Sequence, residues 1–262
     1  MLSFDKIVKK MWRKCWKIMF KDDFFEFIDP EKKWKHQKQL DRLIYRLKSE
    51  WYILSLKAGV YVVPTEEDLK LNTIDLLEKY YFVLLQKYIR QTVWSQYFIS
   101  GKKSLEYHLK NYSIPEKIYI INRDVKKKII FGNYEIIFKT ISGKTEGKTI
   151  NLYSKFSNFI ELWNIWWVKL KFSNLEMSLL ETALVSDSYE GIQLTLLNQA
   201  IKKYSKVLHT EVFYEIWKYK YIMSFNRLKE VSRFIDADLT KIFIDIIKKN
   251  GGLFIGEWLR GI

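Results

Sequence analysis

Arg42 and Arg46 stand one helical turn apart in a stretch whose apolar residues, Leu40, Leu43, Ile44 and Leu47, recur at three- and four-residue spacing. The opposite side of that wheel carries Lys35, Lys38, Arg42, Tyr45, Arg46 and Ser49. This combination suits a nucleic-acid duplex. A guanidinium can donate two hydrogen bonds to the major-groove edge of guanine, so Arg42 and Arg46 read as base contacts. Lys35, Lys38 and Tyr45 read as phosphate contacts, which orient a protein on DNA without reading sequence. Lys57, at a glycine-containing turn a few residues on, is expected to touch the DNA backbone in the same way. A lysine-rich helical face is also the ordinary solvated side of a helix. What favours DNA is the pair of short β-rich runs that follows, Trp51–Leu56 and Val60–Val63 around Ala58-Gly59.

Other chemistry is harder to assemble. Glu135 and Lys139 lie four apart in a strand-like run with Asp124 upstream, a nuclease-like fragment of low specificity. Glu176 and Glu181 differ by five positions on one helix and so fall on different faces, unsuited to acid/base pairing. His36, His108 and His209 are scattered and Cys15 is the only cysteine, which leaves no intrachain disulfide and no multi-cysteine metal set. His36 and Cys15 both fall on apolar stripes and are expected to be packed. No glycine-rich phosphate loop, nucleophile elbow or zinc-protease motif occurs. The expectation is therefore no catalytic residue, no metal and no cofactor. Trp163, Trp166, Trp167 and Phe172 could stack bases, although alternation with Lys169 and Lys171 reads first as a strand burying one face. Arg123 with Lys126-Lys127-Lys128 reads either as a second phosphate patch or as a solvated turn.

The elements that must hold these residues follow from periodicity and from prolines 30, 64 and 115. The spacing predicts an amphipathic, basic helix over Phe4–Phe20 and a short helix or turn over Asp22–Ile28. A third helix starts at Asp29-Pro30-Glu31 and runs to about Ser49. With the hairpin ending at Pro64, this is the order of a winged helix-turn-helix over residues 1–64. Thr65–Asp68 and Asn72–Asp75 read as helix caps, the second ahead of a long helix over Ile74–Gln91. A short helix is expected over Ser104–Leu109. Strands are expected over Lys117–Asn122, Lys127–Phe131 and Glu135–Ile141, then a polar loop, Ser142–Lys148, and a strand around Trp166–Phe172. From Leu175 the pattern is helical, with the last helix closing at Lys249. The fold class is α+β: a winged domain at 1–64, then a mixed domain at 65–262 with a small sheet and a helical C-terminal part.

Composition narrows the function. Of 262 residues 48% are hydrophobic and 29% charged, with 17 Phe, 17 Tyr and 10 Trp but only 10 Gly and 3 Pro, which excludes disordered and fibrous classes. Lys and Arg number 45 against 30 Asp and Glu, a formal charge of +15 that favours a polyanionic partner. Residues 1–64 hold fifteen basic and eight acidic side chains. No uncharged run exceeds eleven residues, as at Gln91–Gly101, too short to span a bilayer. A membrane is not expected as a partner, and the chain is expected to be cytoplasmic.

Three stretches carry a family resemblance. They are Leu56-Lys57-Ala58-Gly59-Val60-Tyr61-Val62-Val63; Tyr97-Phe98-Ile99-Ser100-Gly101 through Ser104-Leu105-Glu106-Tyr107-His108, followed by Ile114–Ile121; and Leu175–Glu181 with Phe225-Asn226-Arg227-Leu228. In order and pattern they resemble the AbiEi-type antitoxin and transcriptional regulator family of type IV toxin-antitoxin systems. Lys102-Lys103 and Met177 depart from its pattern, and the end from Asp236 has no counterpart in it. The resemblance implies a repressor that binds double-stranded operator DNA. It also implies an antitoxin opposing a nucleotidyltransferase-type toxin without stable direct binding. Two other readings stay open at this point: a nucleic-acid-processing enzyme, such as a degenerate nuclease or nucleotidyltransferase delivered by the winged domain, and a basic RNA-associated protein.

Overall fold

The computed structural model describes residues 3–13, 17–28, 37–145, 148–165, 168–184, 193–219, 221–249 and 251–252. The chain is α+β and divides into two compact units, Met1–Tyr88 and Ile89–Ile262.

In the first unit, α1 (Phe4–Arg13) buries Ile7 and Met11. The helix expected to continue to Phe20 does not: Ile18–Phe20 is strand β1, and all three of its residues are buried. A 3₁₀ segment, Lys21–Phe27, follows and packs Phe24, Phe25 and Phe27 inward. Helix α2 (Gln37–Ser49) buries Leu40, Ile44 and Leu47, each burial stabilising by about 1.5–3 kcal/mol. Strands β2 (Leu54–Lys57) and β3 (Val60–Val62) form the expected hairpin, but β1 joins it. The result is a three-stranded antiparallel sheet in the order β1-β3-β2, with Met19 opposite Tyr61. The expected start of the α2 helix at Asp29-Pro30-Glu31, together with Lys35 and His36, lies outside the described residues, as does Cys15.

The first unit extends past the expected boundary at Pro64 because residues 65–88 pack on it. Thr65 and Asp68 exchange reciprocal hydrogen bonds, Thr65 N to Asp68 Oδ2 at 2.8 Å and Asp68 N to Thr65 Oγ1 at 3.4 Å. Asn72 caps α3 (Thr73–Lys79) through Oδ1, as the sequence suggests. The expected long helix is broken at Tyr80, whose hydroxyl donates to Asp68 Oδ2 at 2.6 Å; α4 (Tyr81–Val93) then begins. Lys87 donates to the Ile18 carbonyl at 2.7 Å and pairs with Asp23, and the Tyr88 ring lies 4.8 Å from that of Phe20.

The second unit is built on a six-stranded mixed sheet, larger than the expected small one. Its strands are β4 (Tyr97–Ile99), β5 (Lys117–Asn122), β6 (Lys127–Phe131), β7 (Tyr134–Thr140), β10 (Ile160–Ile165) and β11 (Val168–Ser173). They lie in the order β10-β11-β4-β5-β7-β6, with the β11/β4 and β5/β7 pairs parallel and the others antiparallel. The segment expected as a polar loop instead forms a two-stranded ladder, β8 (Ser142–Thr145) with β9 (Lys148–Asn151). Helices α5 (Lys102–His108), α6 (Leu175–Thr182), α7 (Leu194–Tyr204), α8 (Thr210–Ile216), α9 (Ile222–Ser232) and α10 (Ala237–Lys249) complete it. Phe98, Met177, Phe213, Phe225 and Phe243 are among its core side chains, all inaccessible to solvent.

Among the described residues, three that are not glycine, Trp51, Trp94 and Lys110, have φ between 56° and 65°, each just after a helix. At Lys110 the α5 end is closed by Asn111 N donating to the Glu106 carbonyl at 2.8 Å, the position where helices usually place glycine. Lys110→Gly is expected to raise stability by about 0.5–1 kcal/mol in urea unfolding, because relief of left-handed strain outweighs the added freedom of the unfolded chain. A loss of stability would show that Lys110 makes a compensating contact.

Candidate nucleic-acid interface

Helix α2 offers its packed stripe to the first unit's core and its other side to water. Lys38, Arg42, Tyr45 and Arg46 are all exposed, Tyr45 to 75%. The packed stripe is fixed by Leu40, Ile44 and Leu47, so the outward direction of the polar side follows from helical geometry. The structure nevertheless separates the two arginines. Arg42 makes no ion pair among the described residues. Arg46 donates from Nε to Glu50 Oε1 at 2.7 Å, and its guanidinium sits 3.8 Å from the centre of the Phe4 ring. Arg46 therefore braces α2 against α1, and binding a base would require it to leave both partners. Lys35, the remaining expected phosphate contact on this side, lies outside the described residues.

The hairpin is short. Ala58 and Gly59 are its only turn residues, and Gly59 takes φ 77°, which a side chain would resist. The Gly59 carbonyl accepts from Lys21 N at 2.8 Å, which ties the turn back to the start of the 3₁₀ segment. Lys21 also pairs with Asp41 of α2 at 2.7 Å, and this hydrogen bond is the main reason the Asp41 carboxyl is held below its usual range. Lys57 is half-buried rather than projecting, with Nζ 5.6 Å from the Tyr88 ring centre. Burial lowers its pKa. A register shift between Ser55 and Lys57 bulges β2 at this point.

In the second unit, two of the stretches that carry the resemblance, 97–108 and 175–181, meet Ser173 at one buried polar cluster. Ser173 Oγ lies 3.0 Å from both Glu181 Oε2 and Ser104 Oγ and 2.9 Å from Ser178 Oγ, its single proton serving one of these contacts at a time. Gly101, with φ 68° and ψ −147°, donates its N–H to the same Glu181 oxygen at 3.0 Å. Glu181 is fully buried, and Oε1 has no hydrogen-bond partner. Burial pushes its pKa up to about 7, against the pull of the Gly101, Ser100 and Ser173 hydrogen bonds. His108 Nε2 meets the Ser173 carbonyl at 2.9 Å, not a serine hydroxyl, so the cluster does not form the hydrogen-bonded serine–histidine pair of nucleophilic catalysis. Glu176 faces elsewhere and accepts from His209 N at 2.8 Å, as its five-residue offset from Glu181 suggests. Lys103, at a departure from the family pattern, is buried and pairs with Glu106 at 2.7 Å.

The other sequence candidates are dispersed. Glu135 pairs with Lys128 at 2.7 Å, Lys139 lies over the Tyr119 ring, and Asp124 is exposed. No group of three or more potential metal ligands occurs among the described residues. Phe172 is fully buried, while Trp163 is half-buried and packs edge-on against His108; Trp166 and Trp167 lie outside the described residues. No described helix is long and apolar enough to cross a membrane. Sequence reasoning missed Trp94, a lone tryptophan inside an uncharged run, which is 74% exposed. No family model and no curated protein matches the chain.

Proposed function

We propose that the first unit is a winged helix-turn-helix that binds duplex DNA through α2, and that the protein is a transcriptional repressor. The observation that carries this reading is the arrangement around α2: a helix with Lys38, Arg42 and Tyr45 exposed, followed directly by a hairpin whose sheet has the order β1-β3-β2. The major groove admits a helix of this kind, and the excess of basic over acidic residues in the first 64 positions supplies attraction to phosphate. Arg42 is the base-reading side chain in this proposal, because it alone of the two arginines has no ion-pair partner among the described residues. Lys38 and Tyr45 hold phosphates. The tight hairpin and half-buried Lys57 favour a contact that steadies the domain on the backbone over one that inserts into a groove. The family resemblance adds the second role, an antitoxin acting against a nucleotidyltransferase-type toxin, for which the second unit is the candidate.

The test is selection of a duplex from a random pool followed by a gel-shift titration. Arg42→Ala is expected to weaken the selected duplex by roughly 5- to 150-fold and to flatten the preference over random DNA. Arg46→Ala should weaken it less, while lowering stability through lost packing on Phe4. Lys38→Ala should weaken specific and random duplexes alike and reduce the salt dependence of both by about one phosphate. Equal binding of the selected duplex by wild type and Arg42→Ala would rule out α2 as the reading helix.

A further inference from the structure

The second unit has a cavity of about 490 Å³ lined by Arg90, Trp94, Asn122, Arg123 and Asp124 among others, within the size range of small-molecule sites. Its floor is rigid. Asn122 is buried, and its side chain holds the turn after β5 on four sides: Oδ1 accepts from Asp124 N at 3.0 Å and Val125 N at 2.7 Å, and Nδ2 donates to the carbonyls of Val125 at 2.9 Å and Lys139 at 3.1 Å. The Arg123 carbonyl is fixed in turn by Asn151 Nδ2. The facing wall is the end of α4 and the residues after it, where Lys171 Nζ donates to the Ser95 carbonyl at 2.6 Å. Trp94 stands there at φ 56° and 74% exposed. A large aromatic in left-handed backbone, open to water, gains little for folding on either count. Arg90 and Arg123 are both exposed, and among the described residues the ion pair at Arg123 is the 3.8 Å approach of its neighbour Asp124.

We propose that this cavity binds a nucleotide, with the base stacked on Trp94 and the phosphate between Arg90 and Arg123. Every base has a face that an indole can stack on, and guanidinium forks match phosphate oxygens. Asp124, on the same turn as Arg123, supplies an acceptor for a sugar hydroxyl or an exocyclic amine. An acidic peptide would use the arginines but not the indole face, so nucleotide chemistry accounts for more of the site. The nucleotide comes either free or as a residue of an unpaired strand.

The experiment is fluorescence anisotropy with two probes, a labelled mononucleotide and a labelled eight-residue oligouridine, each titrated with full-length protein. It is run in wild type and in the Arg42→Ala background, so the site is read apart from duplex binding. Trp94→Ala is expected to weaken binding roughly 5- to 150-fold, Trp94→Phe by only a few-fold, and Arg90→Ala with Arg123→Ala to weaken it while flattening its salt dependence. Trp94→Gly is the folding control: it should lose binding as Trp94→Ala does while its melting temperature stays level or rises, since left-handed strain is removed. Binding of the mononucleotide assigns a free ligand, and binding of the oligomer alone assigns a strand; both support the site. Failure of both probes to bind at millimolar protein, unchanged binding in Trp94→Ala, or displacement by polyglutamate as effective as by oligouridine would each overturn it.

Discussion

Glu181→Gln is expected to flatten the pH dependence of stability between about pH 4.5 and 7. The folded chain holds a proton on Glu181 up to about pH 7, whereas the unfolded carboxyl releases it near its ordinary value of 4.5. Between those values the folded state binds more protons, so this group's contribution is full below about pH 4.5 and declines as pH rises to about 7. A displacement of this size corresponds to a loss of roughly 3 kcal/mol across the window. Glutamine cannot ionise, so the variant lacks that slope. At pH 5 it should be no more stable than wild type, because its amide meets the same buried site that leaves Oε1 without a partner. At pH 8 the balance should have moved toward the variant by about 3 kcal/mol. Urea unfolding of both proteins at pH 5, 6, 7 and 8 decides it; parallel curves would mean that Glu181 is ionised in the folded chain throughout.

The second large effect is expected at Asp68, whose carboxylate is fully buried. Lys79 Nζ approaches Oδ1 to 2.6 Å and Tyr80 donates to Oδ2 at 2.6 Å, while Thr65 N binds Oδ2 as well. Burial alone would raise its pKa, but the hydrogen bonds of Lys79, Tyr80 and Thr65 outweigh burial and bring it down to about 2. Asp68→Ala removes the acceptor common to all three and strands the Tyr80 hydroxyl in the interior, a change expected to cost about 3 kcal/mol. The loss should centre on residues 65–80, visible as faster amide exchange there and earlier proteolytic cutting. The acid side follows with the opposite sign to Glu181. Asp68 contributes on the order of 2 kcal/mol above about pH 4, and the contribution disappears as pH falls toward 2. Asp68→Ala protein with unchanged exchange over 65–80 would mean that the segment is held by its apolar contacts alone.

Much of this architecture is written in local patterns. Strands β5, β6 and β7 are visible in the alternation of Ile118, Ile120, Ile129, Phe131, Ile136 and Phe138, all buried, and their limits agree with expectation to within a residue. Helix α9 begins at Ile222, four residues before the expected Asn226, whereas helices α6 and α10, with starts within two residues of expectation, are visible through their apolar spacing. Strand β1 is not, because Ile18, Met19 and Phe20 extend the apolar stripe of α1; their pairing with Val60–Val62, about forty residues later, decides the matter. Strand β4 is buried on both faces and so has no alternation to read. The break at Tyr80 depends on a hydrogen bond to Asp68, twelve residues earlier.

The α2 surface divides in the same way. Exposure of Lys38, Arg42, Tyr45 and Arg46 follows from periodicity within one helix. The capture of Arg46 by Phe4 does not, because it joins residues 42 positions apart in the chain. Nothing in the sequence around Trp94 sets it apart; its left-handed backbone and its exposure are seen only in the structure.

Strand β6 closes one end of the second unit's sheet, opposite β10. Among the described residues no further strand pairs beyond β6, and the Ile130 side chain is exposed on it, so a second extended chain adding there would gain apolar contact. Lys127 and Lys128 stand on that same five-residue strand, both exposed. A second copy docking there edge to edge would have to bring like charges together and bury them. With Lys128 already paired to Glu135, Lys127 would carry most of that opposition to self-association, a use of positive charge that involves no polyanion.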